Sequence, residues 1–229
     1  MNKQAKSQGG RGIEWTDYTW NPVQGCQHQC RWLMPDGSVA ECYAETIANR
    51  VAQKVYSEGF EHHYWNPHKL REPLLLQEPS RIFLDSMSDL MGAWVPDDQI
   101  TQVLDICREA NWHTFQLLTK NAPRLVEFDF PPNVWVGVSA PPSKMFGKDL
   151  SFNQQQRMVL RQLEILRQIQ VPVRWMSIEP LSFDIAPLLE QSPLEWAVIG
   201  AATNGKKTYQ PDATWVKNVL DVLDAQETA

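Results

Sequence analysis

Short, continuously apolar runs alternate along this chain with longer stretches whose apolar residues recur every three or four positions. The short runs fall at 18–23, 81–86, 113–118, 133–139, 172–178 and 196–201, each of strand length and rich in β-branched or aromatic residues. Between them, residues 40–57 place Ala44, Ile47, Ala48, Val51, Ala52 and Val55 at helical spacing, and Gly59 supplies a stop. Residues 96–110 open with Pro96-Asp97-Asp98, a helix start with proline near the first position and acids in the first turn. Further helical stretches are expected at 122–127, 153–170, 183–189 and 212–225. Six β/α units follow, with strands apolar on both faces, which is the pattern of a parallel sheet. Six units are too few for an eight-fold barrel, and the pattern by itself fits either an open six-unit barrel or a doubly wound sheet.

Parallel α/β folds carry their chemistry at the carboxyl ends of the strands. Reading those ends in order yields Cys26 and Cys30; Asp85, Ser86, Ser88 and Asp89; Thr119 and Lys120; Ser139; Glu179; and Thr203, Asn204 and Gly205. Polar residues on one rim contrast with the apolar strands that lead to them.

Composition narrows the class. The 229 residues are 43% hydrophobic, ample for a single core. The net charge of −6 shows no bulk signature of a nucleic-acid binder, though a local basic groove is compatible with it. No apolar run reaches membrane-spanning length, and the polar stretch 1–12 lacks the apolar centre of a secretion signal. A cytoplasmic protein is expected, with a disordered tail at 1–12 and one domain over 13–229. The ten tryptophans read mainly as core and pocket walls, while Trp15, Trp20 and Trp32 bracket the cysteines and can shield them from water.

Three of the four cysteines lie close together as Cys26, Cys30 and Cys42, within Trp20-Asn21-Pro22-Val23-Gln24-Gly25-Cys26 and Cys42-Tyr43-Ala44-Glu45. Uneven spacing in such a protein favours metal or redox chemistry over a disulfide framework. Three thiolates can hold three corners of an iron–sulfur cube and leave one iron open, whereas a fully ligated cluster or a Cys-only zinc site needs four. A Cys3His zinc site with His28 as fourth ligand is the competing reading, and would make the loop a structural clasp in an accessory or nucleic-acid-binding protein. Cys107 lies among Val103, Leu104 and Ile106 and reads as a small core residue. His62, His63 and His68 read as a solvated connector. Arg157/Arg161 and Lys206-Lys207 are able to touch phosphate but are equally explained as solvated surface. There is no phosphate-cradling glycine loop and no Gly-x-Ser-x-Gly nucleophile elbow.

These motifs resemble the radical S-adenosylmethionine superfamily, and more narrowly a phage-associated, three-cysteine radical-SAM-like family of largely undefined function. Besides the cysteine loop, the resemblance runs through Phe83-Leu84-Asp85-Ser86-Met87-Ser88-Asp89-Leu90, Thr114–Lys120, Asn133–Ser139 and Ser177-Ile178-Glu179-Pro180-Leu181. It implies an α/β fold with a partial (β/α)6 TIM-like barrel of parallel strands. It also implies a [4Fe–4S] cluster on Cys26, Cys30 and Cys42 that cleaves S-adenosylmethionine to a 5′-deoxyadenosyl radical. Position on the rim then assigns Ser86, Ser88 and Asp89 to the amino-acid end of S-adenosylmethionine, Ser139 and Glu179 to its ribose, and Asn204 to the same cofactor face. An external electron donor, a nucleotide or nucleic-acid substrate and a separately encoded protein partner complete the expectation. Two features depart from the family: eleven residues precede Cys42 where two are usual, with a Pro35-Asp36-Gly37 turn inside them, and Gly200-Ala201-Ala202-Thr203-Asn204-Gly205 replaces a run that carries an acid.

Overall fold

The computed structural model describes residues 1–4, 12–203 and 208–229. Its strands in chain order are β1 (Asn2–Lys3), β2 (Tyr18–Trp20), β3 (Val23–Gln24), β4 (Arg31–Leu33), β5 (Val39–Glu41), β6 (Tyr64–Trp65), β7 (Arg81–Leu84) and β8 (Thr114–Thr119). They continue with β9 (Val134–Ser139), β10 (Lys144–Met145), β11 (Lys148–Asp149), β12 (Arg174–Ile178), β13 (Trp196–Ile199), β14 (Ala202–Thr203) and β15 (Thr208–Tyr209). The α-helices are α1 (Tyr43–Arg50), α2 (Asp97–Glu109), α3 (Phe152–Gln168), α4 (Ala186–Leu189) and α5 (Ala213–Ala225).

A mixed α/β architecture results, with a largely parallel central sheet. The strand order is β1-β2-β7-β8-β9-β12-β13, and only the β1–β2 pairing is antiparallel. The six parallel strands lie side by side in the order in which they occur in the chain. Crossovers of one hand therefore all advance in one direction and put the helices on a single face. That face holds the main core: Ile82, Leu84, Phe115, Leu117, Val136 and Met176 from the strands pack with Val103, Leu104, Val159, Leu163 and Val219 from the helices.

Alternate residues of the same strands point the other way. Phe83, Gln116, Trp135, Gly137, Trp175 and Trp196 are in register across that second face. Trp15 packs on it, 4.8 Å from the Phe83 ring, 5.3 Å from Trp175 and 5.6 Å from Trp196 (centroid distances). In a flat sheet β7 and β13, four strands apart, would be separated by about 19 Å. One indole touching both requires the sheet to curl around it. Gly137 lets the curl close, because a Cβ there would stand 2.4 Å from the Trp175 ring.

Two expectations are corrected. The helix foreseen over 40–57 is only Tyr43–Arg50. Val39, Ala40 and Glu41 pair instead with Arg31–Leu33, and Val51 and Val55 are exposed. Strand pairing across the Pro35-Asp36-Gly37 turn outweighs the helical spacing there, and Tyr56 and Phe60 supply the apolar contacts beyond Arg50. The insert before Cys42 is thus an ordered hairpin, extended by β10 and β11 into a four-stranded sheet of order β11-β10-β4-β5. Lastly, the first strand ends at Trp20 because Asn21-Pro22 breaks the ladder, and Val23–Gln24 pairs with Tyr64–Trp65 outside the main sheet. No helix is long and apolar enough to cross a membrane, among the described residues.

Candidate functional site

The cysteine loop leaves the carboxyl end of β2 and is held by the segment that follows β7. Asn21 Oδ1 accepts hydrogen bonds from Ser86 Oγ (3.2 Å) and Met87 N (2.9 Å), and Asp85 Oδ1 accepts from Val23 N (3.0 Å). Gly25 donates its N–H to Met87 O (3.0 Å), and its carbonyl accepts from Ser88 Oγ (2.6 Å). Its φ of +86° and the 1.8 Å between a built Cβ and His62 O leave room for glycine alone. Cys26 N then donates to Phe60 O (2.8 Å).

His28, between the first two cysteines, is buried at 3% exposure and meets Asp89 Oδ2 through Nε2 at 2.8 Å. Its ring sits edge-on to Trp94 (4.9 Å) and Phe146 (5.1 Å), and its carbonyl accepts from Phe146 N (2.7 Å). Nδ1 of the same ring is buried without a partner. Asp89 also accepts from Lys120 N (2.9 Å) and Met91 N (3.0 Å). Burial pushes this carboxyl up, but hydrogen bonds from His28, Lys120 and Thr119 together with the charge of His28 outweigh it and hold it below the usual range.

Cys30 packs with Trp32, Met34 and Ala40 of the β4–β5 hairpin. Cys42 occupies the N-cap of α1 without bonding its side chain to the helix. It packs against both the Cys30 cluster and the Ala44–Ala48–Tyr56–Phe60 cluster that Cys26 also touches, so it joins the other two thiols. A two-pronged Arg31–Glu45 pair at 2.6 and 3.0 Å ties β4 to α1. Burial pushes the Cys26 thiol well up, and charge on Asp89, Cys30 and Cys42 adds to the rise. Cys30 is pushed up to about 12, first by burial and against the pull of Lys120, with Cys42 and Asp89 adding. Negative charge on Asp89 and Cys42 therefore disfavours the thiolates of Cys26 and Cys30, and a soft cation is what would reverse that balance. As they stand, no three His, Cys, Asp or Glu side chains among the described residues are close enough to close on a metal ion.

The curled face of the sheet continues from the cysteines. Lys120 Nζ donates to Ser139 Oγ (2.9 Å) and lies 5.8 Å over the Trp32 ring. Ser177 Oγ donates to Glu179 Oε2 (3.3 Å). Burial raises the Glu179 carboxyl, partly offset by hydrogen bonds from Ser177 and Trp15. Gly200 faces it, and a Cβ at Gly200 would come within 2.6 Å of Glu179 Oε1. The Tyr43 hydroxyl donates to Ser86 O.

Of the residues singled out from sequence, Cys26, Cys30, Cys42, Ser86, Ser88 and Asp89 come together around the loop, and Ser139 and Glu179 lie on the sheet face beyond Lys120. Asn204 lies outside the described residues. Cys107 is fully buried in the main core, as its neighbours suggested. Of the three bracketing tryptophans only Trp32 packs with a cysteine. Trp20 is in the main core, and Trp15 fills the curl of the sheet. Sequence reasoning missed Asn21 as a clamp, although an Asn-Pro step straight after a strand is a turn signal. It also missed the His28–Asp89 pair, whose partners are 61 residues apart.

Two solved structures share the fold. Spore photoproduct lyase complexed with dinucleoside spore photoproduct aligns with a TM-score of 0.50 at 9% identity, covering 97% of this chain. A Cys-to-Ser mutant of the same lyase aligns at 0.52 and 10% identity, covering 98%. In both cases this chain spans 64% of the lyase's length. No curated protein matches by sequence. Residues 10–229, nearly the whole chain and all of the site, match the family model described as a protein of unknown function, DUF5131, and the chain belongs to that family.

Proposed function

We propose that this chain is a radical S-adenosylmethionine enzyme acting on a nucleic acid, with Cys26, Cys30 and Cys42 holding a [4Fe–4S] cluster at the mouth of an open (β/α)6 barrel. The observation that carries this reading is the packing of Cys42 between the clusters that hold Cys26 and Cys30, at the carboxyl end of a singly wound parallel sheet. The likeness in fold to a lyase solved with a dinucleoside photoproduct supports a nucleic-acid substrate. When bound, the cluster and S-adenosylmethionine would supply one-electron cleavage of the sulfonium and hydrogen abstraction from the substrate.

The chain's own residues prepare that site. Ser86, Ser88 and Asp89, whose side chains are bonded to the loop and so steady the thiols from behind, would hold the amino-acid end of the cofactor. Lys120 offers a cation to a carboxylate. Ser139 and Glu179 would hold the ribose, with Gly200 leaving Glu179 its space. Trp15 and the tryptophans around it close the floor of the curl and exclude water. An external electron donor and a partner covering the open side of the barrel belong to the same proposal.

One observation favours a second reading. His28 has one nitrogen fixed by a carboxylate and the other buried without a partner, as histidines that ligate zinc do. A Cys3His zinc clasp would use it. Iron, acid-labile sulfide and zinc, measured on protein purified without oxygen, separate the two. About four iron and four sulfide per chain, with 5′-deoxyadenosine formed under reduction, support the enzyme. Stoichiometric zinc without sulfide overturns it.

A further inference from the structure

The tip of the β10–β11 hairpin carries an aromatic residue where turn chemistry calls for something else. Phe146 has a φ of +52° and Gly147 a φ of +71°, the two left-handed positions of a tight hairpin turn. Asn or Asp followed by Gly suits that turn, and a bulky aromatic rarely holds a positive φ. Phe146 is 52% exposed, and its ring meets that of His28 in an edge arrangement at 5.1 Å. Folding is therefore poorly served by phenylalanine here, and the side chain is displayed beside the cysteine loop.

A second observation lies at the other end of the same hairpin. Leu150 N donates to Ser143 O (2.8 Å) at the hairpin base and opens a groove of about 540 Å³ along α3, lined by Leu150, Gln154, Arg157, Met158, Leu160 and Arg161. Arg157 and Arg161 stand one helical turn apart on an exposed face, and neither has an ion-pair partner among the described residues. No carboxylate lines the groove. Lys148, on the exposed strand after the turn, is likewise without an ion pair among the described residues, whereas Lys144 faces Asp149 at 3.9 Å. Three cations without an ion pair among the described residues, together with a displayed ring, run against the bulk electrostatics of a chain of net charge −6.

We propose that this strip, from Arg161 and Arg157 past the hairpin to Phe146, binds single-stranded nucleic acid, the cations taking phosphates and Phe146 stacking on a base next to the cysteine loop. The inference rests on the proposed nucleic-acid substrate and deepens it. A single strand is favoured over a duplex because only an unpaired base offers its face to a ring, and few cations suffice when stacking contributes.

The test is fluorescence anisotropy of a labelled mixed-sequence DNA oligonucleotide, single-stranded and as duplex, with the full chain as purified. Phe146→Asn suits the left-handed turn, so the variant should melt no lower than the parent while binding the single strand about tenfold more weakly. Arg157→Gln/Arg161→Gln should weaken binding and reduce the slope of log affinity against log salt by about 1.4. Unchanged affinity in both variants, or a duplex bound as tightly as the single strand, overturns the inference. Equal competition by polyglutamate would make an acidic protein the occupant instead. Formation of 5′-deoxyadenosine without nucleic acid is scored separately. Its survival, with single-strand binding that neither variant weakens, sinks this inference alone, and its absence, with binding that both variants weaken, sinks the enzymatic reading alone.

Discussion

The imidazole of His28 meets the carboxylate of Asp89 at 2.8 Å, and both groups are buried. The pair links the centre of the cysteine loop to the segment after β7, and through the N–H of Lys120 to the end of β8. Asp89→Ala would leave four donors, on His28, Met91, Thr119 and Lys120, without their acceptor in the interior, at a cost of about 3–5 kcal/mol. Urea unfolding should show that loss, and the purified variant should carry less metal than the parent.

Single Cys26→Ala, Cys30→Ala and Cys42→Ala variants should each lose bound metal. Cys107→Ala should keep it and lose only about 1 kcal/mol from the core. Metal retained in all three of the first set would remove the ligand assignment.

Two glycines with similar backbone angles should respond differently. Gly25→Ala puts a methyl 1.8 Å from His62 O, so the backbone must move and the loop should lose its metal. Gly59 has a φ of +92° with nothing within 4 Å of a built Cβ. Gly59→Ala should therefore cost only about 1 kcal/mol, from the left-handed conformation alone. Thermal melts and metal content of the two variants check the contrast.

Asp85 supplies the pH dependence. Burial raises its carboxyl well above the ordinary range, more than the Val23 N–H and Lys69 lower it, and Oδ2 has no partner. The folded state keeps this proton at pH values where the unfolded chain has lost it. Its stabilising contribution is complete below the ordinary carboxylate range and is lost as pH rises from there toward the raised folded value. Asp85→Asn should remove up to about 1.4 kcal/mol per pH unit of that decline. Denaturation from pH 4 to 8 should give a flatter curve for the variant, and parallel curves would refute the assignment.

At Gly200 a methyl would meet Glu179 along its side chain, 2.6 Å from Oε1, 2.9 Å from Cγ and 3.2 Å from Cδ, so the whole side chain must shift. Gly200→Ala should therefore cost about 1–3 kcal/mol of stability and weaken S-adenosylmethionine binding about tenfold, or ~1.4 kcal/mol. Isothermal titration against a melting curve separates the two effects.

Much of the sheet was legible in the sequence. Runs such as Arg81–Leu84 and Val134–Ser139 are apolar at nearly every position because both faces of their sheet are covered, and that signal is local. Cys26, Cys30 and Cys42 stood out as a candidate site by residue type and nearness in the chain, and Cys107 declared itself core by its neighbours. The sequence alone therefore determined the alternation of strands and helices, the rim where polar residues gather and the three thiols. Tertiary structure decided what depends on partners far apart in the chain. It turned the 31–41 insert into half of a four-stranded sheet, and it shortened the first helix by drawing Val39–Glu41 into strand pairing. It also set the singly wound strand order, the curl about Trp15 and the burial of His28 against Asp89. Hydrophobic periodicity reports whether a residue is buried but not against what, so contacts across 61 or more residues leave no mark in any local window.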